Sequence, residues 1–358
     1  MKNKFFLLIT AVLIMALLTG CAGTVVVIGD CTCPTEGGNV TEATMPIVGD
    51  GETPLKTGLA VSTKISDSVS ATAEKAGAAT YDVTIAAVTV DENGVIRSCK
   101  IDSVPATVNF GTDGVITTDL AAAIATKNEL GENYGMVAWG GAIAEWDAQV
   151  AALCNFAVGK TVEELKTGAV SESGYAPEGP DLASSATIYL GGYVSVIEAA
   201  VNNATYLGAI DGDTLKLVTL NSVASSAPAT AEKDGTAQLD ANIAVVTEKD
   251  GVITSCVIDA VQAKISFDAA GAITTDLTAA VATKNELGEN YGMKAWGGAK
   301  YEWNEQAAAF ASYVTGKTAA EVAGIAVTEG KPSDADLASS VTIAIGDFQG
   351  LIAKALGE

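Results

Sequence analysis

The chain has 358 residues, 49% of them apolar, which is enough for two or three domains with substantial cores. Its 20 Lys and Arg face 43 Asp and Glu, and the net charge of −23 argues against nucleic acid or an anionic membrane surface as a charge-driven partner. Histidine is absent, and the six cysteines form neither paired Cys-x-x-Cys motifs nor Cys-x-x-Cys-His, so no metal site, no c-type haem and no histidine base is expected.

At the N-terminus, Lys2 and Lys4 precede an apolar run over 5–18 that ends in Leu18-Thr19-Gly20-Cys21. A basic start, a short apolar region and small residues before a cysteine describe a secretory signal that is too short for a stable membrane span. The ending resembles a bacterial lipobox, which makes residues 1–20 a lipoprotein signal peptide and Cys21 the lipidated first residue. Removing Lys2 and Lys4 takes the net charge from −23 to −23 − 2 = −25. Attachment to the membrane then rests on acyl chains. Residues 21–54 are rich in Gly, Thr, Glu and Pro and read as a flexible tether, with a root-mean-square reach of roughly 30 Å. Cys31 and Cys33 lie in it and are read as an incidental thiol pair, with a disulfide or a metal contact as alternatives.

The rest of the chain repeats itself. TKNELGENYGM occurs at 126–136 and again at 283–293, and both copies continue into x-A-W-G-G-A. Glu145-Trp146 and Gln149 match Glu302-Trp303 and Gln306, and Asp181-Leu-Ala-Ser-Ser-Ala-Thr187 matches Asp336-Leu-Ala-Ser-Ser-Val-Thr342. A period near 157 residues is far too long for a solenoid. It predicts two tandem copies of one domain, at 55–204 and 212–358, joined by a short link over 202–213.

Within the first copy, alternation and β-branched residues predict strands over 81–90, 95–101 and 106–110, with a hairpin turn at Asn93-Gly94. Asp119 is expected to cap a helix over 120–126. Ile143, Trp146, Val150, Leu153 and Ala157 fall at helical spacing and predict an amphipathic helix over 142–158. Thr161 caps a further helix, a short strand spans 187–190, and a last helix covers 193–201. The fold class is α+β: a meandering, mainly antiparallel sheet with helices packed on it.

Three stretches are candidates for chemistry. The TKNELGENYGM-x-AWGGA block offers Lys127, Tyr134, Trp139 and paired glycines. It reads either as a wall for a flat ring or, preferably, as core packing by Tyr134 and Trp139 beside a glycine turn. Gly159-Lys160-Thr161 resembles the end of a phosphate loop, but Cys154 and Ala311 stand where its first glycine belongs, so that motif is rejected. Cys99 and Cys256 sit in apolar strands and Cys154 on a helix, and all three read as buried packing residues.

The third stretch carries a resemblance. Asp181, Ser184, Ser185, Ala186 and Thr187 resemble the flavinylation motif of FMN-binding-domain proteins, in which the last threonine carries FMN through a phosphodiester. The lipobox, tether and repeated blocks together resemble flavinylated surface lipoproteins of Gram-positive bacteria, a group that includes pheromone-type lipoproteins. The resemblance implies FMN on Thr187 and, less strongly because Val341 replaces the alanine, on Thr342. It implies that Asp181 and Asp336 assist the transferase and that Ser184 and Ser339 lie in the recognised loop. The expected function is a non-enzymatic electron carrier, lipid-anchored on the extracytoplasmic face of the cell membrane. Its expected partners are an FMN transferase, a membrane electron donor on the quinone or NADH dehydrogenase side, and an extracellular acceptor. The competing class is a non-redox surface lipoprotein that binds a ligand or partner, or whose signal peptide yields a pheromone from residues 13–20. A hydrolase lacks support, because no Ser–His pair exists.

Overall fold

The structure, a computed structural model, describes residues 52–179 and 182–357. Cys21, Cys31, Cys33, the signal peptide and nearly all of the tether lie outside the described residues. Among the described residues, no helix is long and apolar enough to cross a membrane.

The architecture is mixed α+β with antiparallel sheets. In the first half, β1 (Pro54–Lys64), β2 (Gly77–Val90) and β3 (Ile96–Phe110) form a sheet that β4 (Thr205–Ile210) extends, in the order β3-β2-β1-β4. Between β3 and β4 run α1 (Lys127–Leu130), α2 (Met136–Gly140), α3 (Trp146–Ala157), α4 (Val162–Ala169) and α5 (Gly191–Asn202). The second half repeats this succession. A sheet of β5 (Thr214–Ser222), β6 (Gly235–Lys249) and β7 (Val252–Phe267) is followed by α6 (Lys284–Leu287), α7 (Met293–Gly297), α8 (Trp303–Val314) and α9 (Ala319–Ala323). A small ladder of β8 (Val327–Thr328) and β9 (Lys331–Pro332), α10 (Ala335–Ala338) and α11 (Gly346–Leu356) complete it.

Strand alternation explains the layering, since successive side chains leave a strand on opposite faces. In β2, Ala79, Tyr81, Val83, Ile85 and Ala87 join the core between the sheets, while Ala86, Val88 and Val90 face α3 and α5. In β6, Ala237, Leu239, Ala241, Ile243 and Val245 meet them, while Ala244 and Val246 face α8 and α11. The two sheets therefore pack on each other with helices outside. Phe110 and Phe267, at the ends of β3 and β7, stack in the core between the sheets, and Tyr81 donates its hydroxyl to the Ala237 carbonyl at 2.8 Å. Burial of that hydroxyl pushes its pKa far above the usual tyrosine value.

Several local expectations change. The strands expected over 95–101 and 106–110 are one continuous strand, β3, through Pro105. It lies at the sheet edge, where a missing N–H costs no ladder bond. The helix over 120–126 does not form. Asp119 caps only a turn, accepting from the Ala121 N–H, and the helix starts at Lys127 behind a complete capping box of Thr126 and Glu129. Residues 187–190 form no strand, because the N–H groups of Thr187 and Ile188 bond a glutamine side chain instead. The link over 202–213 contains β4, which pairs with β1. Helix α3 starts at Trp146, and Ile143 precedes it with 58% exposure, but Trp146, Val150, Leu153 and Ala157 are buried as their spacing predicts. The Thr161 cap forms with Glu164, and Gly94 turns the β2–β3 hairpin at φ 76°.

Candidate functional site

The two motif threonines occupy matching positions. Leu182 and Ala186 are buried, and so are Leu337 and Val341, so two apolar residues pin each motif to the helical layer, as a turn in the first half and as the end of α10 with the turn after it in the second. That leaves Thr187 and Thr342 exposed immediately afterwards. Val341 simply fills the space that Ala186 occupies in the other half.

Each threonine is anchored by one fully buried amide. Gln149 Oε1 accepts from Thr187 N at 2.8 Å, Ile188 N at 3.2 Å and Thr187 Oγ1 at 3.3 Å. Its Nε2 donates to the Ala144 carbonyl at 2.8 Å. Gln306 repeats this on Thr342 N at 2.8 Å and Thr342 Oγ1 at 3.1 Å, with Nε2 on the Tyr301 carbonyl at 3.0 Å. Because donors surround each Oε1, the amide orientation follows from its partners. The backbone contact is the short one, and the longer hydroxyl contact draws the threonine proton inward, leaving the oxygen lone pairs toward solvent. A polar residue recurring on the apolar face of α3 and α8 was the available signal for this anchor.

Asp181 lies outside the described residues. Ser184 is exposed, and so is Asp336, in the first turn of α10. Ser339 is exposed, donates to the Asp336 carbonyl at 2.8 Å, and receives Lys300 Nζ on its own carbonyl at 3.4 Å. That last contact ties the loop after Trp296 to the threonine turn.

Beside Thr342 lies a cavity of ≈ 540 Å3 lined by Asp240, Asn242, Lys284, Trp303, Ile343 and Phe348, among others. Lys284 sits over Tyr291 and Trp303, 5.1 and 4.9 Å from their ring centroids, and forms no ion pair with a described residue. Asp240 is held by Gln238 Nε2 at 2.8 Å and Gln262 Nε2 at 3.1 Å. In the first half, Lys127 sits over Tyr134 and Trp146 in the same way, but it also pairs with Asp82 at 3.3 Å. Burial disfavours the Lys127 charge, but Asp82 together with Tyr134 and Tyr193 more than offsets it and raises its pKa.

The conspicuous tryptophans are not core. Trp139 is 87% exposed and Trp296 is 92% exposed, contrary to the packing role expected for Trp139. The reason is local. Gly135 adopts φ 81°, and the Trp139 ring lies across it so closely that an added Cβ would stand 3.2 Å from the ring. Glu145 then clamps the turn, accepting from Met136 N at 2.8 Å and Val137 N at 2.9 Å, and Glu302 does the same for Met293 and Lys294. Tyr134 is the aromatic that packs against the core.

Cys99, Cys154 and Cys256 are buried free thiols, as their apolar surroundings predict. The close approach of Cys99 Sγ to Cys154 Sγ, at 3.5 Å, was not anticipated. Among the described residues, no cluster of His, Cys, Asp and Glu could hold a metal ion. No family profile, curated protein or solved structure matches the chain.

Proposed function

We propose that the chain is a lipid-anchored, extracytoplasmic electron carrier, built from two tandem copies of one domain, that carries FMN on Thr187 and Thr342. The observation that carries this reading is the pair of exposed threonines at the end of a repeated DLASS motif, each held through its backbone N–H and hydroxyl by a buried glutamine. An isolated threonine is a poor nucleophile, so an FMN transferase supplies the chemistry. Attachment replaces the threonine O–H bond with an O–P bond: a flavin dinucleotide held by the transferase is the donor, its phosphoanhydride P–O bond breaks, and the nucleoside monophosphate leaves with the threonine proton released. The hydrogen bonds at Thr342 repeat those at Thr187, so the proposal covers both.

The surrounding residues suit the group. The cavity beside Thr342 falls within the roughly 300–1,000 Å3 usual for cofactor sites. It places the cation of Lys284 beside the largely buried rings of Trp303 and Phe348, while Asp240 and Asp347 also line it, so an anionic group would be met at the Lys284 end. Bound FMN would supply the redox-active ring, while the chain supplies attachment, position and charge. A covalent link prevents loss of the cofactor outside the cell. The partners in this reading are a membrane electron donor and an extracellular acceptor, with no substrate reaction catalysed by the chain itself.

The test is to produce the mature protein with and without an FMN transferase and record visible absorbance and intact mass. A yellow protein heavier by FMN less water is expected only with the transferase. A colourless protein of unchanged mass in both cases would sink the reading.

A further inference from the structure

The two halves meet along two matched seams, and only one of them is closed. At the closed seam, Lys354 of α11 reaches across to the first half. Its Nζ bonds Glu129 Oε1 at 2.5 Å and the Thr219 carbonyl at 2.7 Å. At the other seam the matching positions are Ala199, Glu286 and Val61. Ala199 is the ninth residue of α5, as Lys354 is of α11. Glu286 and Glu129 hold the same place in the repeated KNEL helix and its capping box. Val61 pairs with Ile85 as Thr219 pairs with Ile243. The Val61 carbonyl faces the side of β1 away from β2, like that of Leu59 two residues earlier, which accepts Asn203 Nδ2 at 3.0 Å.

Where Lys354 would lie, the second seam opens into a cavity of ≈ 980 Å3 that Val61 and Glu286 both line. Glu286 forms no ion pair with a described residue. Asn304 Oδ1 is buried in its wall with no hydrogen-bond partner, a second acceptor awaiting a donor. The apolar wall comes from Leu59, Leu207, Ala308 and Ala311, and Leu207 remains 39% exposed there. Strand β4 supplies that leucine, and no strand takes its place beside β5 among the described residues.

We propose that this groove is a binding site for a primary ammonium group on an apolar stem, seated between the Glu286 carboxylate and the Val61 carbonyl. The protein's own lysine defines the ligand chemistry at the matched seam: an ammonium that donates to a carboxylate and a carbonyl, on an aliphatic chain. The ammonium arrives either on a small amine or on a lysine side chain of a peptide. The site is separate from the threonine turns and does not depend on their modification.

The experiment is a titration of the 15N-labelled mature protein, followed by amide chemical shifts, with hexylamine, with hexanol and with an N-terminally acetylated tripeptide whose lysine side chain is free. Saturable shifts at Val61, Leu207 and Glu286 are expected with hexylamine or the tripeptide and not with hexanol. Response to the amine alone assigns a small-molecule site, and response to the tripeptide assigns a peptide site. Glu286→Gln keeps the helix cap, because glutamine also serves at that position, and is expected to weaken binding at least tenfold. Ala199→Lys is expected to fill the groove with the chain's own cation, abolish the response and raise Tm. Equal shifts with hexanol, no saturable shift with any probe, or unchanged binding in both variants would overturn the proposal.

Discussion

The rings of Phe110 and Phe267 stack with their centroids 4.0 Å apart and their planes 4° from parallel. Phe110 ends β3 and Phe267 ends β7, and each is fully buried. The two halves therefore share one core, and neither sheet has a face to spare for solvent. Phe267→Ala is expected to cost about 3–5 kcal/mol. Calorimetry should still show a single transition for the unsubstituted protein, since removing either half would expose the inner face of the other. Two resolved transitions would contradict the shared core.

Exposure separates the tryptophans. Trp139→Ala and Trp296→Ala remove rings that are almost wholly in water and should change stability by no more than about 0.5 kcal/mol. Trp146→Ala removes a buried ring that also donates to Tyr193 Oη at 2.8 Å, and should cost about 3–5 kcal/mol. Urea unfolding followed by circular dichroism measures all three.

The β2 strand, the α3 stripe and the Thr161 cap were legible because each shows as a pattern of neighbours close in sequence, whereas β1 was not expected at all. The β3 strand was not legible as one strand, because Pro105 looks like a break until its edge position is known. Strand β4 was hidden in a Gly-containing link, since pairing with β1 is a contact over some 150 residues. Trp139 misled for a related reason: aromatic character suggests burial, while the left-handed Gly135 turn and the Glu145 clamp that hold it outside are matters of backbone geometry. The anchoring role of Gln149 and Gln306 was visible only as a polar residue at a core spacing.

The glutamine anchors carry their own prediction. Gln149→Leu leaves the N–H groups of Thr187 and Ile188 without their acceptor, at a cost of about 1–3 kcal/mol. It should slow flavin attachment at Thr187 while leaving Thr342 unaffected, and Gln306→Leu should do the reverse. A transferase time course resolved by peptide mass measures both sites. Equal slowing at both would show that the effect is global destabilisation.

Asp259 links stability to pH. Burial pushes its carboxyl up to about 6, against the lowering effect of hydrogen bonds from Asn285, Thr283 and Ala260. Its folded value exceeds its unfolded value of 3.8, so the folded state holds the proton more tightly. Its stabilising contribution is complete below pH 3.8 and is lost as pH rises toward and through about 6. The loss is on the order of 2–3 kcal/mol. Asp259→Asn, which keeps an acceptor for the Ala260 and Asn285 N–H groups, should raise Tm at pH 7.5 and leave it nearly unchanged near pH 4. A Tm gain equal at both values would contradict the assignment.

The central claim is that Thr187 and Thr342 are the attachment points of FMN. Its most direct test is the intact mass of protein produced with an FMN transferase, for the unsubstituted chain, Thr187→Ala, Thr342→Ala and the double variant. The account predicts two FMN increments in the first, one in each single variant and none in the last. Increments that persist in the double variant, or none in the unsubstituted chain, would contradict it.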